Sequence, residues 1–393
     1  MANQSVGKPR FYVDFTQLAK AKGFFHNPTK FGYANADFGD DLSADKNMNI
    51  WNFNHSNPTQ FLMNENNHRR DFRLSFWNPT QEPNLEWCKL LSTMNWFGVI
   101  NLDFASKFYD AGSTFITTPL RFENFETDEA LEFCTGGTWD GISSGGHNLY
   151  EDGYKLFSIS SIDENGNVID SMPGAYERPD LMSGMVFRVA NGEDYQDLVS
   201  QNVAVDIPYF LGSVCFGRYF DMPHSADLSV KKSYDFDGVK ISRSLSGADY
   251  VQIDNSGPPD WVSGQPWSRG HNLNPKSTRI GKNGRRVWDV SFSYISAENL
   301  LFENAGDVND VSSFGTTGYD SSGYEDEFNP KDEIQQVWDL TLGGALSFIF
   351  CPDTSLAATD LEFATCRFAQ DTFTATQVAH NTWNISFKVE ECW

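Results

Sequence analysis

Residues 141–145, GISSG, match the G-x-S-x-G pattern that presents a nucleophilic serine, here Ser143, in serine hydrolases. That chemistry needs the serine on a tight turn between a strand and a helix, where its hydroxyl is lifted toward a base. The residues that follow, GHNLYEDG, carry no helical pattern, so the stretch reads as a surface loop. Of seven histidines, His55 and His68 share a neighbourhood, but neither has a second ligand at the i, i+4 spacing of a metal-binding helix. His224, in DMPHSADL, reads as a structural residue of a proline turn.

Carboxylates gather at DFDG, 235–238, and in DSSGYEDEF, 320–328. Calcium takes oxygen ligands from such loops, but the EF-hand spacing with its central Gly and final Glu is missing, and the segments read as solvated turns. No segment singles out a carboxylate pair for glycosidic cleavage, because such pairing is spatial. We therefore assign no catalytic residue, metal ligand or cofactor from the sequence. Trp139 in GTWDG, with Trp261 and Trp267 in GPPDWVSGQPWSRG, lie in Gly- and Pro-rich loops and are candidate glycan contacts. Arg285 and Arg286 stand at a strand entry in an acidic chain. With Asp320, Glu325, Asp326 and Glu327 they are candidate contacts between subunits, where charge-assisted bonds fix register.

Composition narrows the classes. The 393 residues suit two or three domains, and 33 Phe and 11 Trp with few helix-forming runs favour β structure. A formal net charge of −24 argues against nucleic acid, whose phosphates need clustered Lys and Arg. The six cysteines form no C-x-x-C pair, which leaves zinc ribbons and redox motifs unsupported and fits free thiols made in a reducing cytoplasm. No charged and apolar leader opens the sequence and no run of eighteen apolar residues occurs, so neither a secretory signal nor membrane insertion is expected.

Short strands should supply the framework. In VWDVSFSYI (287–295), Trp288, Val290 and Phe292 alternate with polar residues, and Trp383, Ile385 and Phe387 do the same in TWNISFKVE. These six residues are the expected structural core. DFRLSF repeats the pattern with Phe72, Leu74 and Phe76. FYVDF reads as a short strand and FTQLAKAKG as a two-turn helix closed by Gly23, both within an N-terminal arm at 1–30. NLEWCKLLSTM reads as a second helix. From 303 to 333 the chain is acidic and rich in Gly and Ser, as a loop or contact element would be.

LGSVCFGRYFDMPHSADLSV, DFDGVKISRSLSGADY, GRRVWDVSFSYIS, LSFIFCPD and FATCRFAQDTFTATQVAHNTWNISFKVEECW resemble virion structural proteins of tailed bacteriophages, many from marine phages, of the distal tail and tail-tube-like kind. MNWFGVINLDFAS is similar to a strand of galactose-binding-like jelly-roll domains, with Asp103 standing where that pattern carries a His. The resemblance implies a mainly β fold with few short helices: a jelly-roll-like β-sandwich over 31–212 and a tail-tube-like split β-barrel over 213–393. It implies a structural component of a phage tail (distal tail, baseplate or tail hub) with no enzymatic activity. Its partners would be copies of itself in a ring and neighbouring tail proteins, assembled in the host cytoplasm into the virion. The alternative is a glycan-binding receptor or decoration protein on the virion surface.

Overall fold

A computed structural model describes residues 7–22, 30–34, 48–49, 61–63, 69–75, 90, 93–100, 103–104, 114–116, 121–123, 130–132, 154–158, 161–162, 168–169, 184–191, 209–211, 213–228, 230–235, 239–253, 285–300, 334–355, 363–370 and 372–392. The described chain is mainly β, with pairings that are all antiparallel and two short α-helices. None of its helices is long and apolar enough to cross a membrane.

The largest sheet has ten strands: β1 (Arg10–Asp14), β2 (Trp96–Ile100), β3 (Tyr154–Ser158), β4 (Ser213–Asp221), β5 (Lys231–Asp235), β6 (Arg285–Ser296), β7 (Phe348–Cys351), β8 (Ala364–Phe368), β9 (Ala375–Ala379) and β10 (Thr382–Glu391). Their order is β3-β2-β4-β1-β7-β8-β10-β6-β5, with β9 beside β10. The expected boundary at 212/213 therefore does not divide this sheet. Strands from both sides of it interleave, and the FYVDF strand, expected in an arm at 1–30, lies between β4 and β7. The physical reason is burial: Phe11, Tyr12, Val13 and Asp14 are all buried, so both faces of β1 are covered, as they are for a strand inside a sheet.

One face of the sheet collects Phe11, Phe348, Phe350, Phe368, Phe387, Trp288 and Phe292, all buried. The Phe11 ring lies 5.1 Å from Phe350 and 5.7 Å from Phe387, and Trp288 lies 5.6 Å from Phe350. Both β1 and β10, and both β7 and β6, are three strand spacings apart in the sheet order. On a flat sheet that is about 14 Å, beyond the reach of two ring side chains. The sheet is therefore curled, with this aromatic face on its concave side. The opposite face holds Tyr12, Trp96, Cys215, Ile349, Cys351 and Phe363, with Leu156 and Tyr219 packed against them.

The helix α1 (Phe15–Lys22) follows β1 directly, over the residues expected for it. Asp14 caps it, accepting from the Thr16 N–H at 2.8 Å and the Thr16 hydroxyl at 2.6 Å, which satisfies one of the free donors of a helix start. Opposite Asp14 sits Gly217, where a Cβ would run into the Val13 carbonyl. A second helix, α2 (Ile334–Leu340), was not read from the sequence. It buries Ile334, Val337 and Trp338, and ends where Leu342, Gly343 and Gly344 take positive φ, with the Gly343 N–H donating to the Trp338 carbonyl.

The two similar segments are neighbours: β6 and β10 pair antiparallel, with Val290 opposite Phe387 and Phe292 opposite Ile385. Trp288, Val290, Phe292, Ile385 and Phe387 are buried. Trp383 departs from the expected core, being half-buried and facing Ile295 at the far end of the pair. An irregularity between Phe292 and Ile295, with Tyr294 at φ 64°, shifts the register there. DFRLSF forms most of Arg69–Ser75 in a separate seven-stranded sheet, where it pairs with Gly184–Asn191 and Lys30–Ala34.

This topology predicts that residues 213–393 expressed alone will not fold, since β1 and β2 supply the neighbours of β4 and β7. Circular dichroism with thermal melting should show no cooperative transition for that fragment. A sharp transition at the full-length temperature would refute the shared sheet.

Candidate functional site

Three arginines of the large sheet are engaged with carboxylates on neighbouring strands. Arg286, expected to face another subunit, is held within the chain. Its Nε and Nη2 donate to the Glu391 carboxylate at 2.9 and 2.8 Å, its backbone N–H donates to the same group at 3.0 Å, and Nη2 reaches the Phe363 carbonyl at 3.1 Å. The guanidinium also lies over the Trp288 ring at 5.3 Å. Strand pairing explains the geometry, because Val287 faces Glu390 and the next position places Arg286 beside Glu391. The side chains retain only 12% and 10% exposure, so this is a desolvated, bidentate pair. Arg285 is half-buried and contributes positive charge near Cys392.

Two more cross-strand pairs follow the same pattern. Arg10 donates through Nε and Nη2 to Asp221 at 2.6 and 2.7 Å and stacks over Tyr219 at 4.0 Å. Burial opposes the charged guanidinium, yet the hydrogen bonds to Asp221 hold its pKa above the usual value. Arg367 meets Glu390 at 2.7 Å in a wetter position. Asp227 is also committed: its carboxylate accepts from the Ser293 hydroxyl at 2.9 Å, and its N–H donates to the Ser291 carbonyl at 2.9 Å. His224 is half-buried, with its ring 5.9 Å from Phe292 and Nδ1 2.8 Å from the Ser225 carbonyl.

Cys215, Cys351 and Cys366 are buried free thiols and Cys392 is half-buried. Burial pushes Cys351 and Cys392 up to about 12, so these sulfurs are protonated at neutral pH and poor nucleophiles. Among the described residues no group of three or more His, Cys, Asp or Glu side chains is arranged to hold a metal ion. Trp139, Trp261, Trp267, Asp320, Glu325, Asp326, Glu327, Ser143, His55 and His68 lie outside the described residues. Asp235 is exposed on β5, and the rest of DFDG also lies outside them.

What the described surface offers is edge and ribbon. The strand β5 closes one end of the sheet order with one neighbour, β6, and Lys231, Lys232, Tyr234 and Asp235 are exposed along it. β9 is largely exposed as well, including Val378. Beyond β5, Val239–Arg243 and Asp249–Ile253 pair with each other as a separate two-stranded ribbon. β5 carries no strand signal that stands out in the sequence, and the exposure of the ribbon strands is not legible from KISRSL and ADYVQI, because a half-buried strand shows the same alternation of apolar and polar residues.

Two outcomes follow from the buried charges. Replacing Arg286 with Met alone leaves the Glu391 carboxylate buried without its partner and should cost about 3–5 kcal/mol in denaturant unfolding. The double replacement Arg286→Met/Glu391→Leu should recover most of that loss, whereas equal losses would mean the pair is not coupled. Lys20 on α1 has its pKa lowered to about 8 by burial, from 10.5. The unfolded chain thus holds this proton up to about pH 10.5 and the folded chain only below about 8, so stability from this group rises with pH between the two. Lys20→Met should exceed wild type in stability at pH 7, with the gap closing as pH approaches 10.5. A gap that stays constant over this range would contradict it. No family model, curated protein or solved structure matches the chain.

Proposed function

We propose that the chain is a structural component of a bacteriophage tail (distal tail, baseplate or tail hub), acting in the virion by assembling with copies of itself into a ring and by contacting neighbouring tail proteins. The observation that carries this reading is the large antiparallel sheet, curled around an aromatic face and ending in an exposed strand, β5, that among the described residues is paired on one side. An open sheet edge is a template for pairing with another chain, and ring proteins satisfy such edges with a neighbour. The charged side chains support the same reading: Arg10, Arg286, Arg367, Asp221, Asp227, Glu390 and Glu391 are used to fix strands, as in a scaffold.

The finer architecture belongs to the same proposal. The curl of the sheet supports a tail-tube-like split barrel built largely from residues 213–393 and completed by Arg10–Asp14 and Trp96–Ile100. A jelly-roll-like sandwich would then draw on the seven-stranded sheet that includes Arg69–Ser75 and Gly184–Asn191.

Light scattering coupled to size exclusion, with negative-stain imaging of the purified chain, tests the reading. Closed rings of identical copies are expected. A monomer at every concentration would contradict it.

A further inference from the structure

The ribbon of Val239–Arg243 and Asp249–Ile253 is wet on both faces. Ile241 faces Val251 across the pair and Ser242 faces Tyr250, so Ile241 and Val251 lie on one side and Tyr250 on the other. Their exposures are 69%, 57% and 64%, and Leu245 at the tip is fully exposed. The tip itself is well formed: the Ser244 N–H donates to the Ala248 carbonyl at 2.8 Å, the Ala248 N–H returns to the Ser244 hydroxyl at 3.0 Å, and Gly247 takes the positive φ. A two-stranded ribbon is marginal in water unless something packs on it.

Leu228, Val230 and Tyr234, which lead into the ribbon, are exposed too. Of the ten large apolar side chains exposed among the described residues, seven fall between 228 and 251. Such concentration marks an interaction surface, since isolated exposed apolar residues scatter. The charge of this stretch separates it from the rest of the chain. Residues 228–253 carry Lys231, Lys232, Lys240 and Arg243 against Asp235, Asp237 and Asp249, an excess of one positive charge. All the other residues together therefore carry the chain's −24 and one more.

We infer that this hairpin, with its lead-in from Leu228 to Tyr234, docks onto the acidic surface of a second copy of the chain. Charge complementarity selects that occupant: a slightly basic, apolar projection fits a body of strong negative charge, which every other copy presents. Repeated head-to-tail, with the hairpin of one copy on the body of the next, this contact generates a ring when the rotation between copies closes. The inference rests on the ring reading above and assigns its adhesive element.

The test is sedimentation velocity and melting of the full chain as wild type, as Ile241→Asp/Val251→Asp and as Lys240→Glu, with Arg243 left in place because it is bonded to Asp249 within the ribbon at 2.9 Å. Wild type should sediment as an assembly larger than a dimer. Both variants should sediment as monomers with the wild-type melting temperature, because the substituted side chains lie outside the core. The charge-reversal variant carries the test alone if the apolar-to-Asp variant melts early. Assembly that survives in both folded variants would overturn the hairpin contact while leaving the ring reading standing. A wild-type monomer would overturn both, and would mean that a different partner covers the hairpin.

Discussion

The strand β1 is hydrogen-bonded along both edges, to β4 with Phe11 opposite Phe220 and to β7 with Phe11 opposite Phe350, and it is buried on both faces. This position lets the strand pair its backbone groups along both edges while placing Phe11 in one core and Tyr12 in the other. The ends of the strand are fixed as firmly as its middle. Arg10 is clamped to Asp221, and Asp14 caps the helix that follows. Just before it, the Gly7 N–H donates to Asp353 at 2.9 Å across 346 residues of sequence. Contacts of such separation close long loops and slow folding.

The curl of the sheet follows from what β1 carries. With Phe11 within ring contact of Phe348, Phe350, Phe368 and Phe387, a single side chain gathers aromatics from three other strands. Aromatic pairs at these separations add to the gain from burying their area, and close packing leaves little room to flatten the sheet. The cross-strand arginines act differently. The Arg286–Glu391 pair is desolvated and costly to break singly, while Arg367–Glu390 is exposed enough for water to weaken it. Their shared effect is register, since a shift by one residue would turn each partner to the opposite face.

Much of the strand content was legible because a period of two survives in short segments. VWDVSFSYI and TWNISFKVE have it plainly, and they are direct neighbours in the sheet. The half-buried state of Trp383 was not legible, because a register shift centred on Tyr294 leaves no distinctive residue such as glycine. FYVDF was readable as a strand, but its place was not: its partners lie some two hundred and more than three hundred residues away, and no local pattern encodes so distant a pairing. Arg286 looked like a surface charge because the acidic residue that takes it, Glu391, is adjacent only once β6 and β10 pair. The α2 helix had a usable cue in the Gly343-Gly344 step after Ile334, Val337 and Trp338, but seven residues give too short a period to stand out.

The scaffold thus joins residues from both halves of the chain through one buried strand, and leaves its apolar and basic exposure to the edge and ribbon that follow β4. Native-state hydrogen exchange addresses that dependence most directly. The amides of Phe11, Tyr12 and Val13 should exchange only through global unfolding, with the same protection free energy as those of Val290 and Phe292 in β6. Exchange of the β1 amides at markedly lower free energy, while β6 stays protected, would show that the strand detaches on its own and would contradict its central role.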